Sequence, residues 1–265
     1  MKPIGTFFLN FILTNYSDVL KSRSVVFTNS EATGWWHDNL IASICKENNI
    51  LVIDTSSKEK SLYSLKQFVD HNEELRVLSV QFPWIIQENI LSALKYPALN
   101  LHLSDISKYR GWNSFSHALL NREKTYFWNL HEMNAKVDTG KVLLKGFVQV
   151  HPHDTAKSLY SRTIDSVTSN ADVIFNSFLS HSRSENILFQ SEATSRFYDQ
   201  NSLNHLRNLK LDDFSEDDLF VISRALYFPP YPSPFLNDGG ELIPLLPKPM
   251  PSCSCESCEE LRLCL

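Results

Sequence analysis

The sequence is 265 residues long, which allows one large domain, or one domain with an appendage, around a proper apolar core. Hydrophobic residues make up 43% and charged residues 21% of the chain, a composition typical of soluble globular proteins. The 25 Lys and Arg against 30 Asp and Glu give a net charge of −5, which disfavours a nucleic-acid partner. The seven glycines match neither the G-x-G-x-x-G nor the Walker phosphate loop, so both are excluded.

The first third of the chain predicts alternating strands and helices. Residues 4–13 are expected to form a buried strand, because Phe and Leu follow one another there without a break. Apolar runs then alternate with segments of helical character, at 25–27, 35–46, 51–53, 61–71 and 77–80. Such a repeat, of about 25 residues, is typical of βαβ units and predicts a parallel sheet. Pro83 is expected to open a helix that Pro97 ends.

The most informative predicted strand is 99–103, where leucines alternate with Asn100 and His102. A period of two puts the leucines on one face and these two polar side chains on the other, about 6.6 Å apart. Ligands of α/β proteins bind outside the carboxyl ends of parallel strands. Asn100 and His102 are therefore candidate site residues, although such a pair taken alone is more typical of an ordinary half-solvated strand.

The middle of the chain continues with both kinds of element. A loop is predicted at 104–112, followed by a helix that Asn113 caps. Two strands, at 126–131 and 141–150, flank a loop that contains Asp138. From Asp154 to Phe178 the apolar residues recur with a helical period, which predicts one helix of about six turns.

Beyond about residue 180 the sequence becomes more polar, and we place a domain boundary there. The S-x-x-D pattern from Ser215 to Asp218 predicts a helix that starts with a capping box. Residues 237–240 lie between two apolar pairs and predict a hairpin turn. The predicted divisions are a main domain at 1–180, a small C-terminal α+β subdomain at 181–250 and a cysteine-containing tail at 251–265.

Several short motifs in this order and spacing resemble one known family. They are NLHLS (100–104), KYRGWN (108–113), ALLN (118–121), HEM (131–133) and VDTG (137–140). Together they closely resemble the formyltransferases that use 10-formyltetrahydrofolate. The resemblance implies an enzyme with a parallel-sheet Rossmann-like α/β core, and it implies that Asn100, His102 and Asp138 form the catalytic group.

These residue types suit formyl transfer. An amine that attacks a formyl carbonyl produces an oxyanion, which an Asn N–H beside an imidazole N–H can stabilise in a water-poor cleft. The amine must also lose a proton while the folate nitrogen gains one, a transfer suited to a group that titrates near neutrality. His102 is that group, and Asp138 is expected to fix its tautomer. The nucleophile belongs to the substrate, so no reactive Ser or Cys and no metal is required.

The resemblance also suggests where the folate lies. In this family the pteridine is held by a strand that corresponds to residues 79–84 and by the loop before the catalytic Asp. The implied cofactor-binding residues are Gln81, Phe82, Trp84, Lys136 and Val137.

Three formyl acceptors compete. A methionyl-tRNA formyltransferase would carry a further basic domain for RNA, and a glycinamide ribonucleotide formyltransferase would begin with a glycine-rich phosphate loop. We favour the branch that formylates an amino group on a nucleotide-linked sugar, dTDP- or GDP-linked, for surface polysaccharide such as O-antigen. A non-catalytic folate or nucleotide-sugar binding protein stays an alternative.

The candidate substrate residues lie in three parts of the chain. The segment RALYFPPY (224–231) resembles the C-terminal segment of sugar formyltransferases. It offers aromatic planes for a base and an Arg for a phosphate. A connector that packs its own aromatic rings is the alternative, and Trp35 and Trp36 can equally belong to the core. The predicted contacts are Arg110, Trp35, Trp36, Arg224, Tyr227 and Phe228.

Location and partners follow from the remaining features. No apolar stretch approaches the roughly 18 residues of a membrane span, which predicts a cytoplasmic protein with no membrane partner. A signal peptide at 4–13 is the less favoured interpretation, because no small-x-small cleavage site follows. The tail cysteines are too irregularly spaced for paired zinc knuckles, so no metal is predicted. A homodimer is compatible with this prediction.

Overall fold

The computed structural model of the chain describes residues 3–19, 24–28, 40–182 and 195–248. Two compact units emerge: one from residues 1–102, 129–145 and 167–190, and the other from 103–128, 146–166 and 191–265. The chain therefore passes between the units several times, and the predicted domain boundaries near residues 180 and 250 stay a prediction. An interleaved division of this kind leaves no polar linker in the sequence to mark it.

The helices and strands have the following bounds in chain order. They are α1 (Pro3–Asn15), β1 (Val25–Thr28), α2 (Leu40–Glu47), β2 (Leu51–Asp54), α3 (Lys58–His71), β3 (Leu78–Val80), α4 (Glu88–Leu91), β4 (Leu99–His102), β5 (Tyr109–Gly111), α5 (Ser114–Leu120), β6 (Thr125–Glu132), β7 (Val142–Gln149), α6 (Ala156–Ser169), α7 (Ala171–Ser180), β8 (Arg196–Tyr198), β9 (Asn208–Lys210), α8 (Glu216–Ala225), β10 (Phe235–Asp238) and β11 (Glu241–Pro244). A mixed α/β fold with parallel strands is confirmed.

The first segment is a helix, and the predicted strand at 4–13 is wrong. In α1, Ile4 and Phe8 are buried one turn apart, and Phe11 packs against Phe175 of α7 with ring centroids 6.5 Å apart. An unbroken apolar run has the same appearance in a buried helix and in a buried strand, and length separates the two. At 13 residues the element is longer than a typical strand.

Two sheets confirm the predicted strands that correspond to β1–β4, β6 and β7. The β1 and β2 strands pair in parallel, with Val25 opposite Leu51. A second sheet has the order β3-β4-β6-β7, in which β3 and β4 are parallel and β4 and β6 are antiparallel. The apolar side chains between α3, α4 and this part of the chain form a buried cluster that includes Leu65, Val69 and Ile90. Val77 and Ala98, which directly precede β3 and β4, take part in this cluster.

The helix predicted from Pro83 is largely absent. Residues 82–87 are irregular, and α4 begins only at Glu88. Gln81 has a left-handed φ of 58°, which turns the chain sharply after β3. The indole Nε1 of Trp84 then donates to the carbonyl oxygen of Thr55 at 3.1 Å and holds the segment as a loop. A tertiary contact thus overrides the helix signal of the proline.

The second unit has a separate core. Its buried residues include Tyr109, Tyr126, Leu159, Leu209 and Ile222. In its smaller sheets, β5 pairs in parallel with β8, and β9, β10 and β11 form a three-stranded sheet. The hairpin between β10 and β11 and the capping box of Ser215 and Asp218 are confirmed.

Two details of the helix predictions are corrected. The helix expected from Asp154 to Phe178 is two helices, α6 and α7, which separate at Asn170. Asn113 precedes α5 but does not cap it by its side chain, because its φ of 59° is left-handed. Its amide donates instead toward the carbonyl oxygen of Gln200 and the hydroxyl of Ser202. The long-range partners of Asn113, Gln200 and Ser202, cannot be recognised from sequence spacing.

Candidate active site

Asn100 and His102 lie on the half-exposed face of β4, as the alternating pattern predicts. Leu99 and Leu101 point into the core with 1% exposure each, while Asn100 and His102 are only partly buried. The antiparallel register places Asn100 opposite His131 of β6 and His102 opposite Asn129. Two neighbouring strands therefore contribute polar side chains to one part of the first unit.

The loop after β6 brings Asp138 to the same place. Its Oδ1 lies 3.6 Å from Nδ1 of His102, and the Asp138 side chain is only 10% exposed. Asp138 has a left-handed φ of 51°, a conformation that Asp and Asn adopt more readily than other side chains. We call Asn100, His102 and Asp138 the Asn-His-Asp cluster. All three residues belong to the first unit.

The loop itself is tied back to β6. The carbonyl oxygen of Lys141 accepts a hydrogen bond from the backbone N–H of Glu132 at 2.8 Å. A Cβ atom at Gly140 would lie 1.7 Å from the carbonyl oxygen of Glu132, so only glycine fits there. Thr139 donates its hydroxyl to the side-chain oxygen of Asn134 at 2.7 Å. These contacts set the position from which Asp138 reaches His102.

Sequence reasoning does not single out His131, although it contacts this cluster. His131 Nε2 lies 3.2 Å from the side-chain nitrogen of Asn100 and 3.7 Å from Oδ1 of Asp138. Burial, with the nearby His102 adding to it, lowers the pKa of His131 to about 4, so its ring is neutral at pH 7. The strand register puts it directly across from Asn100, and neither strand's own sequence reveals that register.

Two buried polar atoms beside the cluster have no hydrogen-bond partner in the part of the chain that the structure describes: Nε2 of His102 and Oε1 of Gln81. Ser79 pairs with Asn100 and Val80 with Leu101, so Gln81 follows at the level of His102 at the same carboxyl edge. Buried polar atoms normally have partners. One acceptor from Gln81 and one ring nitrogen from His102 are what a ligand with N–H and carbonyl groups requires, so these residues fit the formyl-carrying pterin.

The other predicted cofactor residues differ in their contacts and exposure. The Phe82 ring packs against the buried cluster that includes Leu65, Val69 and Ile90. The Trp84 indole donates a hydrogen bond to the carbonyl oxygen of Thr55. Lys136 is exposed and Val137 is half-buried in the loop before Asp138. Their contact with a cofactor stays a prediction. In the described ranges no group of three or more His, Cys, Asp or Glu side chains has the arrangement of a metal site.

The predicted substrate residues do not come together with the Asn-His-Asp cluster in one unit. Arg110, Arg224, Tyr227 and Phe228 belong to the second unit. Trp35 and Trp36, like the tail cysteines, lie outside the described residues. The Phe228 ring packs edge-on against Tyr160, at a centroid distance of 5.4 Å, and the carbonyl oxygen of Tyr227 accepts from the backbone N–H of Lys157. These two contacts agree with a segment that packs its own aromatic rings.

Arg224 is placed differently from the prediction. It is 9% exposed, and its guanidinium donates to the carbonyl oxygens of Pro152 at 2.6 Å and Asp154 at 3.2 Å. Arg224 thus closes the loop before α6 rather than offering an open guanidinium to a phosphate. The sequence pattern of an Arg among aromatic residues does not distinguish these uses.

Replacing Arg224 with methionine should therefore lower stability and leave substrate binding unchanged. Methionine keeps contact with the Phe220 ring, which lies 4.4 Å from the guanidinium carbon, but it leaves the two carbonyl oxygens without a donor. We expect the free energy of unfolding to fall by about 1–3 kcal/mol in denaturant titration. Arg196→Met, at an exposed position of the same unit, is the matched control. A rise in KM with unchanged stability would instead restore a phosphate contact.

The chain matches one family over more than half of its length. The model of the Formyl transferase family covers residues 25–170, which include the Asn-His-Asp cluster and His131.

Among the described residues, no helix is long and apolar enough to cross a membrane.

Several known proteins are similar in sequence to part of this chain. The bifunctional polymyxin resistance protein ArnA of Wigglesworthia glossinidia brevipalpis is 35% identical over 106 residues, which are 39% of this chain and 16% of that protein. GDP-perosamine N-formyltransferase of Brucella melitensis biotype 1 is 29% identical over 122 residues, 46% of each chain. Methionyl-tRNA formyltransferases also match. The chain spans less than half the length of the two relatives first named.

Solved structures share the fold. The crystal structure of WlaRD, a sugar 3N-formyl transferase in the presence of dTDP and 5-N-formyl-THF, superimposes with a TM-score of 0.69 at 21% identity. The match covers 89% of this chain and 80% of that one. A likeness at this level of identity concerns the fold.

Proposed function

The chain belongs to the formyl transferase family, and on this premise we propose that it transfers a formyl group from 10-formyltetrahydrofolate to the amino group of a nucleotide-linked amino sugar. The observation that carries the proposal is the position of the Asp138 carboxylate, 3.6 Å from Nδ1 of His102. With Asp138 at Nδ1, the buried Nε2 of His102 is left for the reacting groups.

His102 is the group that moves the proton. Its Nε2 takes the proton of the attacking amine and can return it to the leaving folate nitrogen. Asp138 favours the tautomer with its proton on Nδ1, because its carboxylate faces that ring nitrogen. The cluster is 17% exposed at His102 and 10% at Asp138, which limits competition from water.

Asn100 stabilises the charge that develops on the formyl oxygen. A side-chain amide N–H at a fixed position on a strand loses little energy in reorientation when that charge appears. Asn100 and His102 project from the same face of β4, so both can reach one carbonyl group. The formyl group and the leaving nitrogen come from the donor when it is bound.

The donor is held by residues at the carboxyl edge of β3. The left-handed Gln81 leaves its buried side-chain oxygen without a partner in the described chain, and a pterin N–H is the group that would satisfy it. Phe82, Trp84, Lys136 and Val137 form the remaining lining in this proposal. Relatives solved with 5-N-formyl-THF or folinic acid support a reduced folate as donor.

A nucleotide-linked sugar is the acceptor that the relatives favour. A GDP-perosamine N-formyltransferase and a sugar 3N-formyl transferase crystallised with dTDP both match this chain. The net charge of −5 disfavours the runner-up acceptor, an aminoacyl-tRNA, whose backbone needs positive charge. We propose further that the nucleotide of the acceptor is dTDP or GDP and that the formylated sugar is used to build surface polysaccharide such as O-antigen. We also propose that the protein is cytoplasmic and forms a homodimer.

Arg110 is the predicted substrate residue whose surroundings best suit a nucleotide. The register of β5 and β8 pairs Arg110 with Phe197, so both side chains project from one face, and Trp112 follows two residues on. Phe197 and Trp112 are 54% and 58% exposed. Nε of Arg110 is buried and has no partner among the described residues. An exposed aromatic ring on the same face as a guanidinium suits a base and its phosphates.

Arg110→Ala should therefore raise the KM for the nucleotide-linked sugar by about tenfold, because a charge-assisted contact to phosphate is lost. The KM for the folate donor and the melting temperature should stay close to those of the wild type. Arg196→Ala is the control, since Arg196 pairs with Tyr109 and projects from the opposite face of the same strand pair. Equal KM changes in both variants would remove Arg110 from the substrate site.

A binding experiment tests the proposed substrates together. Thermal unfolding is followed with 5-formyltetrahydrofolate, with dTDP- and GDP-linked amino sugars, and with tRNA. A ligand that binds the folded state raises the melting temperature in proportion to the logarithm of its concentration. We expect the folate and one of the sugars to raise it, and tRNA not to. Stabilisation by tRNA alone would favour the runner-up.

A further inference from the structure

Across from Asn100, in the middle of β6, lies His131, a buried residue without an assigned role. It is 2% exposed and contacts Asn100 and Asp138, two of the three residues to which we assign the chemistry. Its role concerns the orientation of Asn100 and rests on the proposed function.

The ring can carry that proton on only one nitrogen. Nδ1 of His131 lies 2.7 Å from the carbonyl oxygen of Glu132. A carbonyl oxygen is only an acceptor, so Nδ1 must be the donor. A second proton on Nε2 would make the ring a buried cation, which burial and the neighbouring His102 both disfavour. Nε2 therefore keeps its lone pair and acts as an acceptor.

This tautomer decides which end of the Asn100 amide faces β6. An amide has a donor end and an acceptor end of nearly the same shape, and the shape alone does not choose between them. With an acceptor 3.2 Å away, only the nitrogen end of Asn100 makes a hydrogen bond. A flipped amide would place its oxygen against the Nε2 lone pair and lose that bond at a buried site.

We propose that His131 is a positioning residue, whose neutral ring accepts from the side-chain nitrogen of Asn100 and so keeps an N–H group of that amide directed to the formyl oxygen. One hydrogen of the Asn100 amide is donated to Nε2 of His131, and the second is available to the formyl oxygen of the substrate. Without His131, the amide can turn its oxygen toward the developing negative charge. The rate then falls because of orientation and not because a reacting group is lost.

The charged and titratable groups around the ring are consistent with this role. Asp138 faces Nε2 at 3.7 Å, beyond hydrogen-bond distance, and His102 approaches edge-on with ring centroids 6.2 Å apart. Burial and the neighbouring His102 disfavour a charged ring more than Asp138 and the hydrogen bond to the Glu132 carbonyl favour it, so the pKa of His131 is lowered to about 4. His131 thus stays neutral near pH 7 and acts as an acceptor.

Kinetics of two substitutions separate orientation from packing. His131→Leu removes the acceptor and keeps the volume roughly constant, whereas His131→Gln carries a side-chain oxygen that can take the place of Nε2. We expect His131→Leu to lower kcat by about 10- to 100-fold with less than threefold change in either KM, and His131→Gln to recover most of that loss. His117→Leu is the control, because His117 is also buried and neutral but lies in the other unit, bonded to Ser202.

A double-mutant cycle shows whether His131 acts through Asn100. In an Asn100→Ala background, the same His131→Leu change should alter kcat by less than about threefold, since no amide is left to orient. Additive losses would overturn the proposal, and so would wild-type kcat in His131→Leu. A similar loss in His117→Leu would assign the effect to general destabilisation.

Nitrogen-15 NMR of the wild-type protein tests the geometry without any assay of activity or any variant that must fold. We expect His131 to be neutral and protonated on Nδ1 from pH 6 to 8, with a hydrogen-bond coupling between Nε2 and the Asn100 side-chain nitrogen. A proton on Nε2 would overturn the role of His131. If no amino sugar is formylated by the wild type, the proposed function fails, while this measurement still decides the hydrogen bond.

Discussion

Replacing His102 with alanine is expected to lower kcat by about 100-fold or more, which is about 2.7 kcal/mol of transition-state stabilisation. The reason is that Nε2 of His102 carries the proton between the amine and the folate nitrogen. The side chain is 17% exposed and lies outside the apolar clusters, so the melting temperature should change little. Asn100→Ala is expected to lose a similar factor, because it removes the donor to the formyl oxygen.

The measurement is kcat and both KM values of the purified variants, with circular dichroism and thermal unfolding as the check on folding. His71→Ala provides the control, since His71 is exposed at the end of α3 and its Nδ1 lies 2.7 Å from the backbone oxygen of Gln67. Wild-type turnover in either His102→Ala or Asn100→Ala would remove that residue from the catalytic group.

Asp138→Asn is expected to be as damaging as the loss of His102. Asparagine tolerates the left-handed φ of 51° at this position, so the loop keeps its shape and only the charge is lost. An amide cannot stabilise the protonated ring of His102 across the 3.6 Å that separates Nδ1 from Oδ1. The expected loss in kcat is therefore about 100-fold, with little change in KM for the sugar.

Asp70→Asn is the control for this substitution, because Asp70 pairs with Lys66 on the surface of α3. Stopped-flow or initial-rate measurements at saturating donor and acceptor give kcat directly. A loss of less than about threefold in Asp138→Asn would mean that the carboxylate only shapes the loop and does not act on His102.

The sequence predicts the site best where local pattern and register coincide. Alternation over 99–103 is enough to place Asn100 and His102 on one face, because a strand has a fixed period of two. The family resemblance adds Asp138, which is 36 positions beyond His102 and which no local pattern connects with it. The loop that carries Asp138 approaches β6 so closely at Gly140 that a Cβ atom there would collide with the carbonyl oxygen of Glu132.

Other features depend on contacts that a single sequence does not contain. His131 matters through its register with Asn100, and the pairing of β4 with β6 cannot be obtained from either strand alone. The helix α1 was predicted as a strand, because an apolar run on all sides has no diagnostic period. Arg224 has the composition of a phosphate ligand, but Pro152 and Asp154 occupy its donors.

The most direct test of the proposed function is to measure the release of tetrahydrofolate from 10-formyltetrahydrofolate in the presence of different amines. The full chain is assayed with a panel of dTDP- and GDP-linked amino sugars, with the same amino sugars free of nucleotide, and with methionyl-tRNA. We expect rapid release with one nucleotide-linked sugar and much slower release with its free form, because binding energy from the nucleotide positions the amine. Equal rates with and without the nucleotide, or release with methionyl-tRNA alone, would contradict a sugar-nucleotide formyltransferase.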